Sequence, residues 1–212
     1  MPEQDLRFSC PSRCLGLSAR ALAAFPASCT GACTAAVSGV APNGAEFSSG
    51  PAVASDVLYV GATDGRVYAI STSCATGGRC RILWSGRTDG SIVAEPVVVG
   101  DHVVVGSSDS SVYAFGESCG SRGETCRPEW IGPTGGPVSE RPLSEGGLVY
   151  VASTDGTLSV FAGSWAADPC PPLWVGTVGV FPSAPAVWSD RAIYTLSAGG
   201  VLTAYTVDGA AA

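Results

Sequence analysis

The side chains best placed to do chemistry in this 212-residue chain are nine cysteines, a single histidine and a recurring aspartate. Eight cysteines fall in close pairs, Cys10/Cys14, Cys29/Cys33, Cys74/Cys80 and Cys119/Cys126, and Cys170 is left over. Thiols at this spacing fit two chemistries. The first two pairs give four thiolates, a loose zinc set, although CxxxC is less usual than CxxC. Pairs flanking short loops also fit disulfides formed in an oxidising compartment. The later pairs occupy the same kind of loop, so disulfide-closed loops account for more of the cysteines. All eight paired cysteines are disulfide candidates, and the expected role of each bridge is to stiffen its loop.

The histidine and the aspartates point to less. His102 lies in Gly100-Asp101-His102, which reads as a solvated turn, and no serine or cysteine nucleophile stands beside it in a recognisable motif. Asp64, Asp109 and Asp155 recur at one repeat position. They could form a ring of carboxylates, but each sits where turn chemistry asks for Asp or Asn. No CxxCH haem-attachment motif is present. The expectation is a chain without catalytic residues, metal or cofactor.

The elements around these residues form a repeated unit. Ser49–Gly86 holds three apolar runs of strand length, PAVAS, VLYVGA and RVYAI, and a fourth, RILWSG, after a cysteine-flanked loop. Asp64-Gly65, between the second and third runs, predicts a tight two-residue hairpin turn. The unit reads as a four-stranded antiparallel meander. It recurs with a period of about 45 residues, opened by Pro51, Pro96, Pro142 and Pro185. LYVGATDGRVYAI, VVVGSSDSSVYAF, VYVASTDGTLSVF and IYTLSAGGVLTAY align without gaps, as do LWSG, EWIG and LWVG. The runs are apolar on both faces, so each sheet must be covered on both sides. Stacking around an axis does this, and the expected fold is an all-β propeller of four-stranded antiparallel blades, about four in this chain. The recurring Trp84, Trp130 and Trp174 are expected to pack between blades.

The predicted organisation is an irregular cysteine-containing segment at 1–34, an outer strand at 35–39, blades at 51–86, 96–132 and 142–176, a partial blade at 185–207 within a repeat region ending at 208, and a tail at 209–212. Within 1–34 only Leu17–Phe25 has helical character. The strand at 35–39 could pair with 202–207 and close a four-bladed ring; otherwise the chain is an arc of a larger ring. Residues 1–9 lack a basic start and an apolar segment, so the chain is expected to be a mature form or a piece of something longer.

The residues SGPAVASDVLYVGATDGRVYAI resemble the pyrroloquinoline-quinone-like (PQQ-like) propeller repeat. SCATGGRCRILWSG and SCGSRGETCRPEWIG resemble a cysteine-bearing form of it seen in bacterial secreted proteins. The resemblance covers about residues 29–207. It implies the fold strongly and the function weakly, since most such proteins are not enzymes and bind no quinone. The quinoprotein dehydrogenases of this fold often carry a disulfide between adjacent cysteines, and no Cys-Cys pair occurs here.

Composition narrows the partners. Net charge is −7 and the 11 basic residues form no cluster, which argues against nucleic acid. No apolar run approaches the ~18–20 residues of a membrane helix. Charge near the propeller axis is confined to the loops entering the first strands, where Glu95, Glu140 and Arg141 form a candidate polar site. The last unit lacks its outer strand, leaving Leu202, Ala204 and Val207 as a candidate edge for a partner strand. The expected function is a non-catalytic extracytoplasmic (periplasmic, cell-surface or secreted) scaffold or accessory subunit of an envelope or surface assembly, binding a protein partner or a second copy. The alternatives are a fragment of a quinone- or metal-dependent dehydrogenase and a carbohydrate-binding module that would use Trp165 and Trp188. A small-molecule ligand is left open.

Overall fold

The computed structural model describes residues 13–18, 21–26, 37–40, 42–73, 80–164, 168–178, 187–189 and 192–206. Among them there is no α-helix. The strands are β1 (Arg13–Ser18), β2 (Ala21–Pro26) and β3 (Val37–Val40); β4 (Ala52–Ala54), β5 (Val57–Gly61), β6 (Arg66–Ser71) and β7 (Ile82–Arg87); β8 (Val97–Val99), β9 (His102–Gly106), β10 (Ser111–Gly116), β11 (Glu124–Cys126) and β12 (Trp130–Pro133); β13 (Leu143–Glu145), β14 (Leu148–Ala152), β15 (Thr157–Ala162) and β16 (Trp174–Thr177); and β17 (Val187–Ser189), β18 (Ala192–Leu196) and β19 (Leu202–Thr206). Three antiparallel meanders of four strands, β4–β7, β8–β10 with β12, and β13–β16, are followed by a three-stranded one, β17–β19. The first strands β4, β8, β13 and β17 lie beside one another, so they form the inner row. This is the propeller arrangement expected from the repeat.

The N-terminal region differs from expectation. The described residues of the stretch expected to be helical, 17–18 and 21–25, lie in β1 and β2, which pair antiparallel, and β3 pairs with β2. Nine residues are too few to hold an isolated helix, whereas as strands their backbone groups are satisfied on the sheet. Residues 37–40 are thus the outer strand of a three-stranded sheet of their own. Among the described residues they do not pair with β19, which pairs with β18. Among the described residues the five sheets are not joined into a closed ring.

The hairpin turns also differ. Gly65 donates its N–H to Ala62 O and Ala62 donates to Arg66 O. Gly156/Ser153/Thr157 and Gly200/Ser197/Val201 repeat that pattern. These are three-residue loops rather than two-residue ones, and positive φ falls on Gly65, Ser110, Gly156 and Gly200 alone, not on the residue before each. A type I turn followed by one left-handed residue needs only that single position. The Asp side chains brace the turn: Asp64 Oδ1 accepts from Arg66 N (3.2 Å), and Asp155 Oδ1 accepts from Thr157 N (3.1 Å). Tyr68 and Tyr113 donate their hydroxyls to Asp64 (2.6 Å) and Asp109 (2.8 Å).

Blade-to-blade packing explains the Trp-x-Gly of each outer strand. Phe115 of the second blade lies 6.1 Å from Trp84 of the first, Phe161 lies 6.0 Å from Trp130, and Tyr205 lies 5.9 Å from Trp174. The glycine two residues after each Trp makes room for the same ring. A Cβ at Gly86 would stand 2.5 Å from Phe115, at Gly132 2.5 Å from Phe161, and at Gly176 2.8 Å from Tyr205. Tryptophan, a bare backbone and the next blade's aromatic therefore form one lock. Trp84 and Trp130 are completely buried in it.

Candidate functional site

At the axial row the loops entering β8 and β13 meet. Arg141 Nε lies 3.3 Å from Glu95 Oε1, with Glu95 mostly buried and Arg141 half exposed. Glu95 also lies against Gly50, just before the first blade's inner strand, where an added Cβ would stand 2.8 Å from its Oε2. The structure thus brings Glu95 and Arg141 together as an ion pair between the second and third blades, beside the first. Glu140 sits half-buried on the same loop and makes no ion pair among the described residues. A carboxylate already neutralised by a guanidinium binds strongly only what can replace that partner.

His102 is not the solvated turn residue expected. It is the first residue of β9, buried, with Nε2 2.8 Å from Glu129 Oε2. Asp101 Oδ1 also lies 2.8 Å from Nδ1, but out of line for a hydrogen bond. The cause is Gly116, which pairs with His102 across the ladder. Gly116 has no side chain, so Glu129 folds over it and reaches the imidazole. This clasp ties the start of β9 to the residue preceding β12.

Cys119 and Cys126 form a disulfide with Cα atoms 6.1 Å apart, and Cys80 is also disulfide-bonded. Cys74 and the side chains of Cys10, Cys14, Cys29 and Cys33 lie outside the described residues. Among the described residues no three His, Cys, Asp or Glu side chains gather as a metal site.

The Cys119–Cys126 loop does more than close on itself. Its strand β11 adds in parallel to β7 of the preceding blade, pairing Glu124 with Trp84 and Cys126 with Gly86. Gly123 N donates to Leu83 O at 2.7 Å, and Trp84 Nε1 donates to Glu117 O at 3.0 Å. Tyr59 of the first blade reaches Glu117 Oε1 at 3.3 Å. The third blade does likewise with less: Cys170 N donates to Ile131 O at 2.8 Å, on the outer strand of the second blade. Cys126 and Cys170 are both buried with a Trp from the blade before and a Phe from their own.

The signal for this was present in the spacing. A cysteine stands four residues before the outer-strand position in every loop: Cys33 before Val37, Cys80 before Trp84, Cys126 before Trp130 and Cys170 before Trp174. The partner position, four residues after the aromatic or apolar residue of the third strand, holds Cys29, Cys74 and Cys119, then Trp165. Cys170 is the one free cysteine among the described residues because its partner position carries tryptophan.

The candidate partner edge lies on β19. Leu202 is 66% exposed and Ala204 is half-buried, while Val207 lies outside the described residues. Thr206 already has an interaction partner. The outer strand of the third blade is also bare, with Leu173 52% and Val175 54% exposed.

Residues 32–123 match the family model described as outer membrane protein assembly factor BamB. No curated protein matches the chain. Among solved structures, the crystal structure of BamB from Moraxella catarrhalis is similar, at 15% identity and a TM-score of 0.75 over 97% of this chain and 59% of that one. The computationally designed Ika8 protein is similar at 11% identity and a TM-score of 0.74, over 95% of this chain and 57% of that one. The designed Ika4 protein gives 14% identity and a TM-score of 0.65, over 82% of this chain and 98% of that one. The chain therefore spans somewhat under two thirds of the length of the first two. At these identities the likeness is one of fold. The fold is that of a β-propeller, and within it residues 32–123 are similar to the PQQ-like repeats of that family model.

Proposed function

We propose that this chain is a non-catalytic, extracytoplasmic β-propeller that acts as a protein-interaction scaffold, an accessory subunit of a cell-envelope or surface assembly. The observation that carries the reading is the match of residues 32–123 to an outer membrane protein assembly factor. The Cys119–Cys126 disulfide supports the compartment, since such bonds persist where the surroundings are oxidising. The binding surfaces in this reading are the edge of the Leu202–Thr206 strand, which a partner strand extends, and the axial loops with Glu95, Glu140 and Arg141, which recognise a polar group at the rim.

The test is site-specific photo-crosslinking in a bacterial host, with the crosslinker at position 202 and the chain expressed with an export signal. The expected result is a discrete adduct with an envelope-assembly protein in the periplasmic or membrane fraction. An oxidised, folded chain that gives no such adduct would overturn the reading. So would a quinone absorbance band or bound metal in the purified protein.

A further inference from the structure

We propose that Arg66, Arg87 and Arg127 form a binding site for a phosphate group on the outer part of the first blade. The 11 basic residues of the chain are all arginine and are scattered along the sequence. The fold gathers five of them on three neighbouring strands. Arg66 opens β6, Arg87 closes β7, Arg81 and Arg122 stand just before β7 and β11, and Arg127 just after β11. Three of the five come into register. Arg66 and Arg87 are direct partners across the β6–β7 ladder. Cys126 is the partner of Gly86 in the parallel pairing of β11 with β7, and Arg127 follows Cys126 as Arg87 follows Gly86. Side chains two apart on a strand share a face. Arg66 Nη1 donates to Ser85 Oγ at 3.2 Å, so Arg66 is on the face of Ser85, and Arg87 lies two residues further on. Thr125 is the partner of Ser85, and Arg127 lies two residues after Thr125. The chain on both sides of each arginine and the whole sheet β11-β7-β6-β5-β4 belong to the described residues.

The charge of this group is not met within the molecule. Arg87 and Arg127 are exposed and make no ion pair among the described residues. Arg66 Nε has one carboxylate nearby, Asp64 at 3.8 Å, which is already held by the Tyr68 hydroxyl and by Arg66 N. Glu124 pairs with Trp84 and so lies on the opposite face, where its carboxylate accepts from Ser121 N and Arg122 N. Like charges set opposite one another on neighbouring strands repel. The repulsion stands on a chain whose net charge is −7, and a bound anion removes it. The number of guanidinium groups selects the anion. A carboxylate offers two oxygens and one charge, enough for a single fork. A phosphate monoester offers three terminal oxygens and a charge of about −1.5 to −2, and guanidinium forks match its geometry.

The experiment is an NMR titration of the full oxidised chain, isotope-labelled at arginine, with inorganic phosphate. The arginine Nε–H resonances are read, with chloride and acetate at equal ionic strength as controls. Saturable shifts of Arg66, Arg87 and Arg127 are expected, half-complete at about millimolar phosphate or below, with no comparable response to acetate. Arg87→Gln and Arg127→Gln each remove a charge that holds no ion pair, so both variants should fold, and each should weaken binding at least about tenfold. Cosedimentation with phosphatidylcholine vesicles containing phosphatidic acid separates the sources of the phosphate. Sedimentation abolished by Arg87→Gln assigns it to a lipid headgroup, and saturable phosphate binding without sedimentation assigns it to a soluble phosphate; both uphold the site. The proposal is overturned by the absence of saturable shifts, by an equal response to acetate, or by binding indifferent to both substitutions. Tighter binding of an oligoglutamate peptide at the same arginines would assign them to an acidic protein segment and likewise overturn it. The site is on a different blade from position 202, so a negative crosslink there leaves this titration unaffected and the two readings fail separately.

Discussion

The second and third blades are built from the same repeat and solve the same problem differently. Each sends its third-to-fourth-strand loop over the outer strand of the blade before. The second blade's loop is closed by Cys119–Cys126, carries a regular strand, and gives Trp84 a hydrogen-bond acceptor in Glu117 O. The third blade's loop keeps only the buried half of that device. Cys170 reaches Ile131, but Trp165 stands in the partner position, and Trp130 Nε1 has no hydrogen-bond partner among the described residues. On its far side the second blade is covered, whereas the third leaves Leu173 and Val175 in solvent. The buried cysteine packs whether or not it is bonded. The disulfide adds order to the loop rather than filling the core.

The largest effect separating the two blades should come from the outer-strand tryptophans. Trp130→Ala empties a completely buried site and should cost about 3–5 kcal/mol of unfolding free energy. Trp174→Ala, at the half-buried equivalent, should cost clearly less. Chemical denaturation of both variants under oxidising conditions measures the difference, and equal losses would show that β16 is covered as well as β12 in solution. The glycines give the same ordering from the opposite direction. Gly132→Ala drives a methyl into Phe161 and Gly176→Ala into Tyr205 at a slightly longer approach, so the first should be the more destabilising.

Next in size is the exchange of loop designs. Cys119→Ala makes the second loop resemble the third, with Cys126 free but still buried. Loss of a bridge spanning seven residues should cost about 2–3 kcal/mol on the chain-entropy account. Trp165→Cys is the converse, and intact mass without reductant should fall by a further ~2 Da as the introduced thiol bonds to Cys170. A free thiol persisting at both positions would mean that the two loops differ in path as well as in residue.

The repeat, the blade boundaries and the inter-blade tryptophans are legible because apolar period, turn residues and Trp-x-Gly all point the same way. The loops carry less signal. β11 has only three residues, Glu-Thr-Cys, with no apolar alternation, and becomes a strand only because the edge of β7 stands ready beside it. Leu17–Phe25 reads as helical because Ala and Leu favour helix locally, and pairing with β3 overrides that preference. The clasp on His102 is invisible for a different reason. It depends on Gly116 across the ladder and on Glu129 further along, a contact that sequence spacing does not encode. Glu95 and Arg141 stand out in the sequence as two charges on neighbouring loops, but not as one interaction.

A chemical probe should separate the two buried sulfur sites without changing any residue. Burial raises the Cys170 thiol from its ordinary 9.0 to about 11. The fold thus favours the neutral thiol. That contribution is complete below about pH 9 and is lost as pH rises towards 11, because the unfolded thiol ionises first. Tyr113 in the second blade is pushed up to about 12, chiefly by burial and then by its bond to Asp109, and acts in the same direction at higher pH. Iodoacetamide at pH 8 should therefore leave Cys170 unmodified in the oxidised native chain and label it on unfolding, while Cys119 and Cys126 stay protected by their bond in both states. Labelling of Cys170 in the native chain would show that the third loop opens where the second does not.

The smallest difference lies in the hairpin turns. The third blade places Gly156 at φ 89° in the left-handed position, and the second places Ser110 there at φ 70°. A side chain in that region is disfavoured by about 1–2 kcal/mol relative to its ordinary conformations. Glycine avoids the clash but brings a more flexible unfolded chain, which returns part of the gain. The change leaves in place the Asp109 carboxylate, which accepts from Ser107 at 2.8 Å and Tyr113 at 2.8 Å. Ser110→Gly should therefore raise the unfolding free energy by several tenths of a kcal/mol, up to about 1. The reverse change in the third blade, Gly156→Ser, should lower it by a similar amount. A Ser110→Gly variant no more stable than the parent would mean that the second blade's turn relaxes out of the left-handed region in solution.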